Sequence, residues 1–322
     1  MLVLVLVPAS SLAWSAGASV DVEKDLLIAA YCLLACCFGM AQVLHRRPSL
    51  SESLALLLLA AGNVAAAASL VAWGLAGTGE PARLVGVWGL DNPVHGSVLV
   101  LGSTLPALAL MLAGRRSRRW VAALALPLAF ALLAGARTAA AAYLLAALAL
   151  VGSRQPRAAA WAAMAALVVA GVGLWLIGVD RAIEIWLSRG LSYRDVVWQQ
   201  VWTAYRDCPA LVGCGIATPL SVEFAGVRGE RAHSIFVAAL YHQGLVGLTL
   251  FVGAVAVLLW RGVRDAAADV QGWAWMLGFV LLANATSGDH LLVRGSLFWP
   301  CFWIPALVLA ARAGEKPTPG RP

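Results

Sequence analysis

Apolar residues along this chain come in runs too long for a soluble core, and polar residues gather between the runs. A helix that crosses a hydrocarbon layer of ~30 Å needs ~20 apolar residues. That ruler predicts ten segments, near 1–14, 26–44, 52–77, 94–113, 120–135, 138–152, 158–179, 233–260, 272–286 and 296–311. The first is short for a span and is followed by small residues, so it reads as a short span or as a signal-peptide-like start without a basic n-region. The pattern predicts an all-α fold: a polytopic transmembrane helix bundle of about ten spans, forming one membrane domain over residues 1–322. Residues 180–232 interrupt it as one large polar loop carrying short amphipathic helices.

Composition agrees with the pattern. The chain is 61% hydrophobic and 12% charged, with a mean hydropathy of +0.83. A soluble domain carries about 25% charged residues, so this chain cannot cover a water-facing surface. The net charge of +7 is therefore no argument for a nucleic-acid partner. Basic residues beside spans report orientation instead.

More than half of the 23 lysines and arginines sit in compact connections and the tail: Arg46, Arg47, Arg115, Arg116, Arg118, Arg119, Arg154, Arg157, Arg261, Arg264, Arg312, Lys316 and Arg321. Alternation through ten segments keeps all of them on one side, which the positive-inside rule makes cytoplasmic. The other side receives Arg137 at a hairpin tip and Arg181, Arg189, Arg194, Arg206, Arg228 and Arg231 in the polar loop. Arginine translocated against the usual bias points to an anionic ligand on the outer face. Cys208 and Cys214 lie in the same loop, where a short disulfide can form if the compartment is oxidising. Cys32, Cys36 and Cys37 fall in an apolar run and read as structural thiols.

Several constellations on that side have chemical potential. Arg137 follows Gly135-Ala136 between two short apolar runs, which puts it at or just beneath the membrane surface. An arginine at membrane depth costs ~2.5–3.5 kcal/mol, so it marks either a site or a side chain snorkelling to the headgroups. Arg194, Trp198, Val201, Trp202 and Tyr205 share one helical face, as in an amphipathic helix lying on the membrane with its aromatic side down. The stretch from Pro209 to Gly215 is a turn whose backbone amides either meet an anion or simply close the chain. Arg228, Arg231 and His233 follow, and an extended approach would turn Arg231 and His233 to one cavity. His233 opens a long apolar run, and cationic neighbours favour its neutral form, the form a general base needs. The bland alternative is an interfacial histidine at a helix start. No nucleophile elbow, phosphate-binding loop or paired metal-binding histidine motif is present, and the outer acids are dispersed. Arginines would then take the charge-neutralising role of a metal.

Together these pieces resemble the O-antigen ligase and polymerase family. The resemblance rests on Ala136-Arg137-Thr138, Arg194 with Trp198, Pro209 to Gly215, and His233-Ser234 leading to Gly244-Leu245-Val246-Gly247. Gly89 to His95, with Asn92-Pro93 inside it, is similar to the family's outer-loop Asn-Pro segment. Coverage runs from about residue 85 to 260. The chain departs from the family in having about two fewer spans, in Ser234 where asparagine is frequent, and in lacking a large C-terminal extension, which points away from the protein-glycosylating branch.

The resemblance implies an inverting glycosyltransferase of the bacterial inner membrane with its active site on the periplasmic face. It would move a glycan from undecaprenyl pyrophosphate to a sugar hydroxyl, with lipid A core as the expected acceptor and with neither metal nor cofactor. His233 would activate the acceptor, Arg137 and Arg194 would bind pyrophosphate, and Arg228, Arg231, Asn92 and Trp198 would line the substrate. A repeat-unit polymerase is the near alternative. A transporter of an anionic lipid-linked sugar is another, although Asn63, Asn284 and Thr286 supply little polar path. A purely structural subunit leaves the outer arginines unexplained.

Overall fold

The computed structural model describes residues 1–17, 19–75, 84–87, 90, 92–115, 123–160, 164, 193–224, 226–288, 292 and 298–312. The chain is mostly helical. Its described helices of nine or more residues are α1 (Leu2–Ser10), continued by a 3-10 turn to Trp14, α2 (Val20–Arg46), α3 (Leu50–Leu75), α4 (Pro93–Gly102), α5 (Thr104–Leu112), α6 (Ala125–Leu133), α7 (Arg137–Arg154), α8 (Arg194–Tyr205), α9 (Ile235–Arg264), α10 (Ala268–Asn284) and α11 (Phe298–Arg312). A hairpin of β1 (Val222–Phe224) and β2 (Val227–Gly229) precedes α9. Among the described residues, four stretches are long and apolar enough to cross a membrane: Asp21–Arg46, Leu50–Leu75, Pro93–Leu112 and Ile235–Arg264. Nine of the ten apolar segments coincide with helices. The tenth, 158–179, lies almost wholly outside the described residues, as do 180–192 of the polar loop.

α10 is apolar around its whole circumference, which suits an element buried on every side. Trp273 and Phe279 are fully buried on it, and it packs against α5, α7, α9 and α11. Tyr143 of α7 meets Phe279 edge to face at 5.9 Å, and its hydroxyl lies 2.9 Å from that of Thr104.

Hydrogen bonds divide the bundle into two polar ends. At one end Glu52 pairs with Arg115, Ser51 donates to the buried Asp269, and Arg154 donates to Gln271 at 2.9 Å. Gln271 in turn donates to the carbonyls of Val263 and Asp265. The start of α3, the ends of α5, α7 and α9 and the start of α10 therefore meet at the end that carries the short basic connections. The opposite end holds the start of α4, Arg137 at the start of α7, all of α8, the hairpin, the start of α9 and the finish of α10.

At that opposite end a loop is built into a helix. α9 breaks at Gly244, whose φ of 65° and ψ of −166° are non-helical. An unbroken helix would bond the amides of Leu245 and Val246 to the carbonyls of Tyr241 and His242. Here Leu245 and Val246 donate instead to Ala210 and Leu211, each at 3.0 Å, while Cys214 and Gly215 donate to Tyr241 and His242, each at 2.9 Å. The loop thus replaces two helical rungs with four bonds of its own, so no backbone group freed at this break is left without a partner. His242 adds a bond from Nδ1 to the Gly215 carbonyl at 2.9 Å.

The other side of the loop is held by the N-terminal segment. Ser11 and Ser15 accept from Ile216 and Ala217, each at 3.0 Å, and Trp14 donates to the Val212 carbonyl at 3.2 Å. Leu4 and Val5 of α1 are buried in the main core, so residues 2–14 are a packed element of this fold. The sequence left the role of Pro209 to Gly215 open between anion cradle and turn. Its amides at Val212, Gly213, Cys214 and Gly215 are spent on protein carbonyls, which favours the turn.

Cys208 and Cys214 are joined in a disulfide with Cα atoms 5.1 Å apart. Closing so short a loop limits the unfolded chain by about 2 kcal/mol. The double substitution of Cys208 and Cys214 by serine is expected to lower stability by about that amount. It is read as a fall in the thermal midpoint in detergent at unchanged helix content.

Candidate functional site

α8 opens on Arg194, preceded by Tyr193 in the left-handed region with φ 59°. Val197, Val201 and Tyr205 form its buried stripe, which packs with Val222 of β1 and with Ala238 and Tyr241 of α9. This corrects the expectation of a helix resting its aromatic face on the membrane. Trp202 is exposed, and Trp198 turns its indole to protein, donating to the Ala232 carbonyl at 3.0 Å. Gln200 clamps the hairpin by exchanging two bonds with the backbone of Glu223, at 2.6 and 2.7 Å. A helix with apolar residues at i, i+4 and i+8 has found a protein surface to bury them on.

The bond from Trp198 places α8 directly beside His233. His233 is half-buried between buried Ala232 and Ser234, and its φ is 52°. The extended approach expected over Arg231 to His233 is thereby corrected. A left-handed residue breaks the two-residue alternation that would have aimed both side chains into one cavity. Arg231 is exposed. Ser234 then caps α9 by accepting from Val237 at 3.4 Å. Among the described residues the two non-glycines with positive φ are Tyr193, next to Arg194, and His233 itself. Such conformations cost of order 1–3 kcal/mol each and collect at functional sites.

Arg194 is half-buried and donates through Nη2 to the Ser287 hydroxyl at 3.3 Å. Burial pushes its guanidinium below the ordinary arginine range, which strengthens its demand for an anion. His95 reaches the same residue, its Nε2 donating to the Ser287 carbonyl at 3.1 Å. A carbonyl can only accept, so Nε2 carries the proton. Ser287 therefore joins the start of α4, the start of α8 and the finish of α10. The side chains of Asn284 and Thr286 in the same turn each keep a buried oxygen with no hydrogen-bond partner.

Asn92 is used differently from the sequence expectation of substrate contact. Its side-chain oxygen caps α4, accepting from Val94 at 3.0 Å and His95 at 3.2 Å, ahead of Pro93 in the first turn. Arg137 is the exposed first residue of α7, following Gly135 with φ 61°. It shares an end of the bundle with Arg194 because α7 runs antiparallel to α10. Arg228 is exposed on β2, donating through Nε to Ser221 at 2.8 Å.

The structure thus ties together Arg194, Trp198 and the backbone beside His233, and adds His95 and Ser287, which sequence reasoning missed. Arg137, Arg228 and Arg231 occupy the same end and, among the described residues, make no hydrogen bond to Arg194, Trp198, His95 or Ser287. None of Arg137, Arg194, Arg228 and Arg231 is ion-paired with a carboxylate among the described residues. No family model matches this chain, and no curated protein matches it.

Proposed function

We propose that this chain is an inverting glycosyltransferase of the bacterial inner membrane, joining a glycan from undecaprenyl pyrophosphate to a sugar hydroxyl on lipid A core. The observation that carries the reading is the half-buried guanidinium of Arg194, one helical turn before Trp198, whose indole is bonded to the Ala232 carbonyl next to His233, at the bundle end where Arg137 also lies. In this reading the apolar helices form about ten spans, the basic connections face the cytoplasm, and the loop end faces the periplasm. The Cys208–Cys214 disulfide accords with an oxidising compartment.

His233 takes the proton from the acceptor hydroxyl as its oxygen attacks the anomeric carbon. The bond from that carbon to the pyrophosphate oxygen breaks on the opposite face, with inversion. Arg194 and Arg137 hold the departing diphosphate, with Arg228 and Arg231 drawing the donor to the same end. At ~4 Å and an effective dielectric of about 20, each arginine–phosphate attraction is ~4 kcal/mol before desolvation. Contacts that strengthen as charge moves onto the leaving group lower the barrier.

Electrophoresis of lipopolysaccharide from a deletion strain tests the reading. Loss of a ligase leaves bare core while lipid-linked polymer accumulates. Core capped by a single repeat would assign a polymerase instead. Donor trapped on the cytoplasmic leaflet would assign a transporter, and an unchanged gel would remove all three.

A further inference from the structure

The Ser287 turn has no place in the chemistry described above, yet both of its polar groups at that residue are engaged across the fold. Its hydroxyl receives Arg194 at 3.3 Å, and its carbonyl receives His95 at 3.1 Å. The three residues come from α4, α8 and the end of α10, elements with no other hydrogen bond joining them at this end among the described residues. An arginine carries several rotatable bonds, and burial alone does not fix the direction of its fork. A hydroxyl at one corner does. The backbone of Ser287 is in turn fixed by His95, whose own position is set by the Asn92 cap at the start of α4.

We propose that Ser287 is a positioning residue, aiming the Arg194 guanidinium at the donor diphosphate, with His95 holding Ser287 in place. The part concerning the diphosphate rests on the glycosyltransferase reading; the aiming of Arg194 does not. Ser287 acts only through Arg194 and touches no reacting atom.

Phenylglyoxal modification of the full chain in detergent separates the two claims, with each arginine followed by peptide mass. Ser287→Ala is expected to raise the modification rate at Arg194 by about three- to tenfold, the range expected for one lost hydrogen bond of ordinary net strength. Ser287→Thr, which keeps the hydroxyl, should restore the wild-type rate, His95→Ala should shift it in the same direction as Ser287→Ala, and exposed Arg228 should not change. Farnesyl pyrophosphate should protect Arg194 in the wild type and require about tenfold more ligand in Ser287→Ala. Equal Arg194 rates in wild type and Ser287→Ala overturn the proposal. So does a rise shared by Arg194 and Arg228, which reports general loosening. A selective rise at Arg194 without any protection by farnesyl pyrophosphate upholds the positioning and overturns the diphosphate reading.

Discussion

His233→Ala is expected to reduce glycan transfer by ~10²–10⁴-fold, the range one general base contributes, while the protein still retains farnesyl pyrophosphate. The loss falls on the acceptor's proton, not on the diphosphate, which is why binding persists. A second variant guards against misreading a folding defect. His233 holds a left-handed backbone at φ 52°, a conformation that costs a residue with a side chain roughly 1–2 kcal/mol and glycine almost nothing. His233→Gly should therefore match or exceed the thermal midpoint of His233→Ala and be equally inactive. Transfer at the wild-type rate in either variant would remove His233 from the chemistry. Restored transfer in the alanine variant on adding imidazole would support it directly.

Gly244→Ala carries the largest expected effect on stability. Its φ of 65° with ψ of −166° lies in a region that glycine alone occupies readily, at a cost of about 1–3 kcal/mol for other residues. A Cβ there would also stand 2.4 Å from the carbonyl carbon and oxygen of Leu211 and 2.5 Å from the amide of Gly213. Those atoms are backbone and cannot swing aside, so a further ~1–3 kcal/mol of overpacking follows. The sum is about 2–6 kcal/mol, expressed as a large fall in the thermal midpoint in detergent. Gly213→Ala meets the same wall from the other side, with its Cβ 2.5 Å from the Gly244 amide. Since both changes open the same joint, the double variant should cost less than the two single losses added together. Midpoints within a degree or two of wild type would show that the loop does not depend on the break.

Much of this architecture could be read before any coordinates. Apolar length located every described helix of nine or more residues except α8, because a helix long and apolar enough to cross a membrane leaves a signal in every turn. Arg194 and Trp198 stood out through their spacing; Trp198 reaches the Ala232 carbonyl next to His233, and Arg194 reaches Ser287. The break at Gly244 was hidden because periodicity and hydropathy continue across it. Its cause lies some thirty residues earlier, in the carbonyls of Ala210 and Leu211. The face of α8 was read in part: Val201 and Tyr205 of the expected face are buried against protein, while Val197, four residues before Val201, was overlooked beside the aromatics. Asn92 read as a contact residue, although an asparagine directly before proline is an ordinary helix start. His95 and Ser287 carried no signal of their own: each is a single polar residue at a helix end, and only the packing of α4 against α10 makes them neighbours.

A bend in a long transmembrane helix often serves as a hinge, and the bend in α9 cannot. A hinge works by exchanging one set of backbone partners for another, and both halves of this one are already fastened to a covalently closed loop that the N-terminal segment holds from behind. The stretch of α9 before Gly244 is therefore bonded to the loop behind it and packed against α8 in front. In the proposed reaction, the donor lipid would meet a centre already assembled at this end of the bundle.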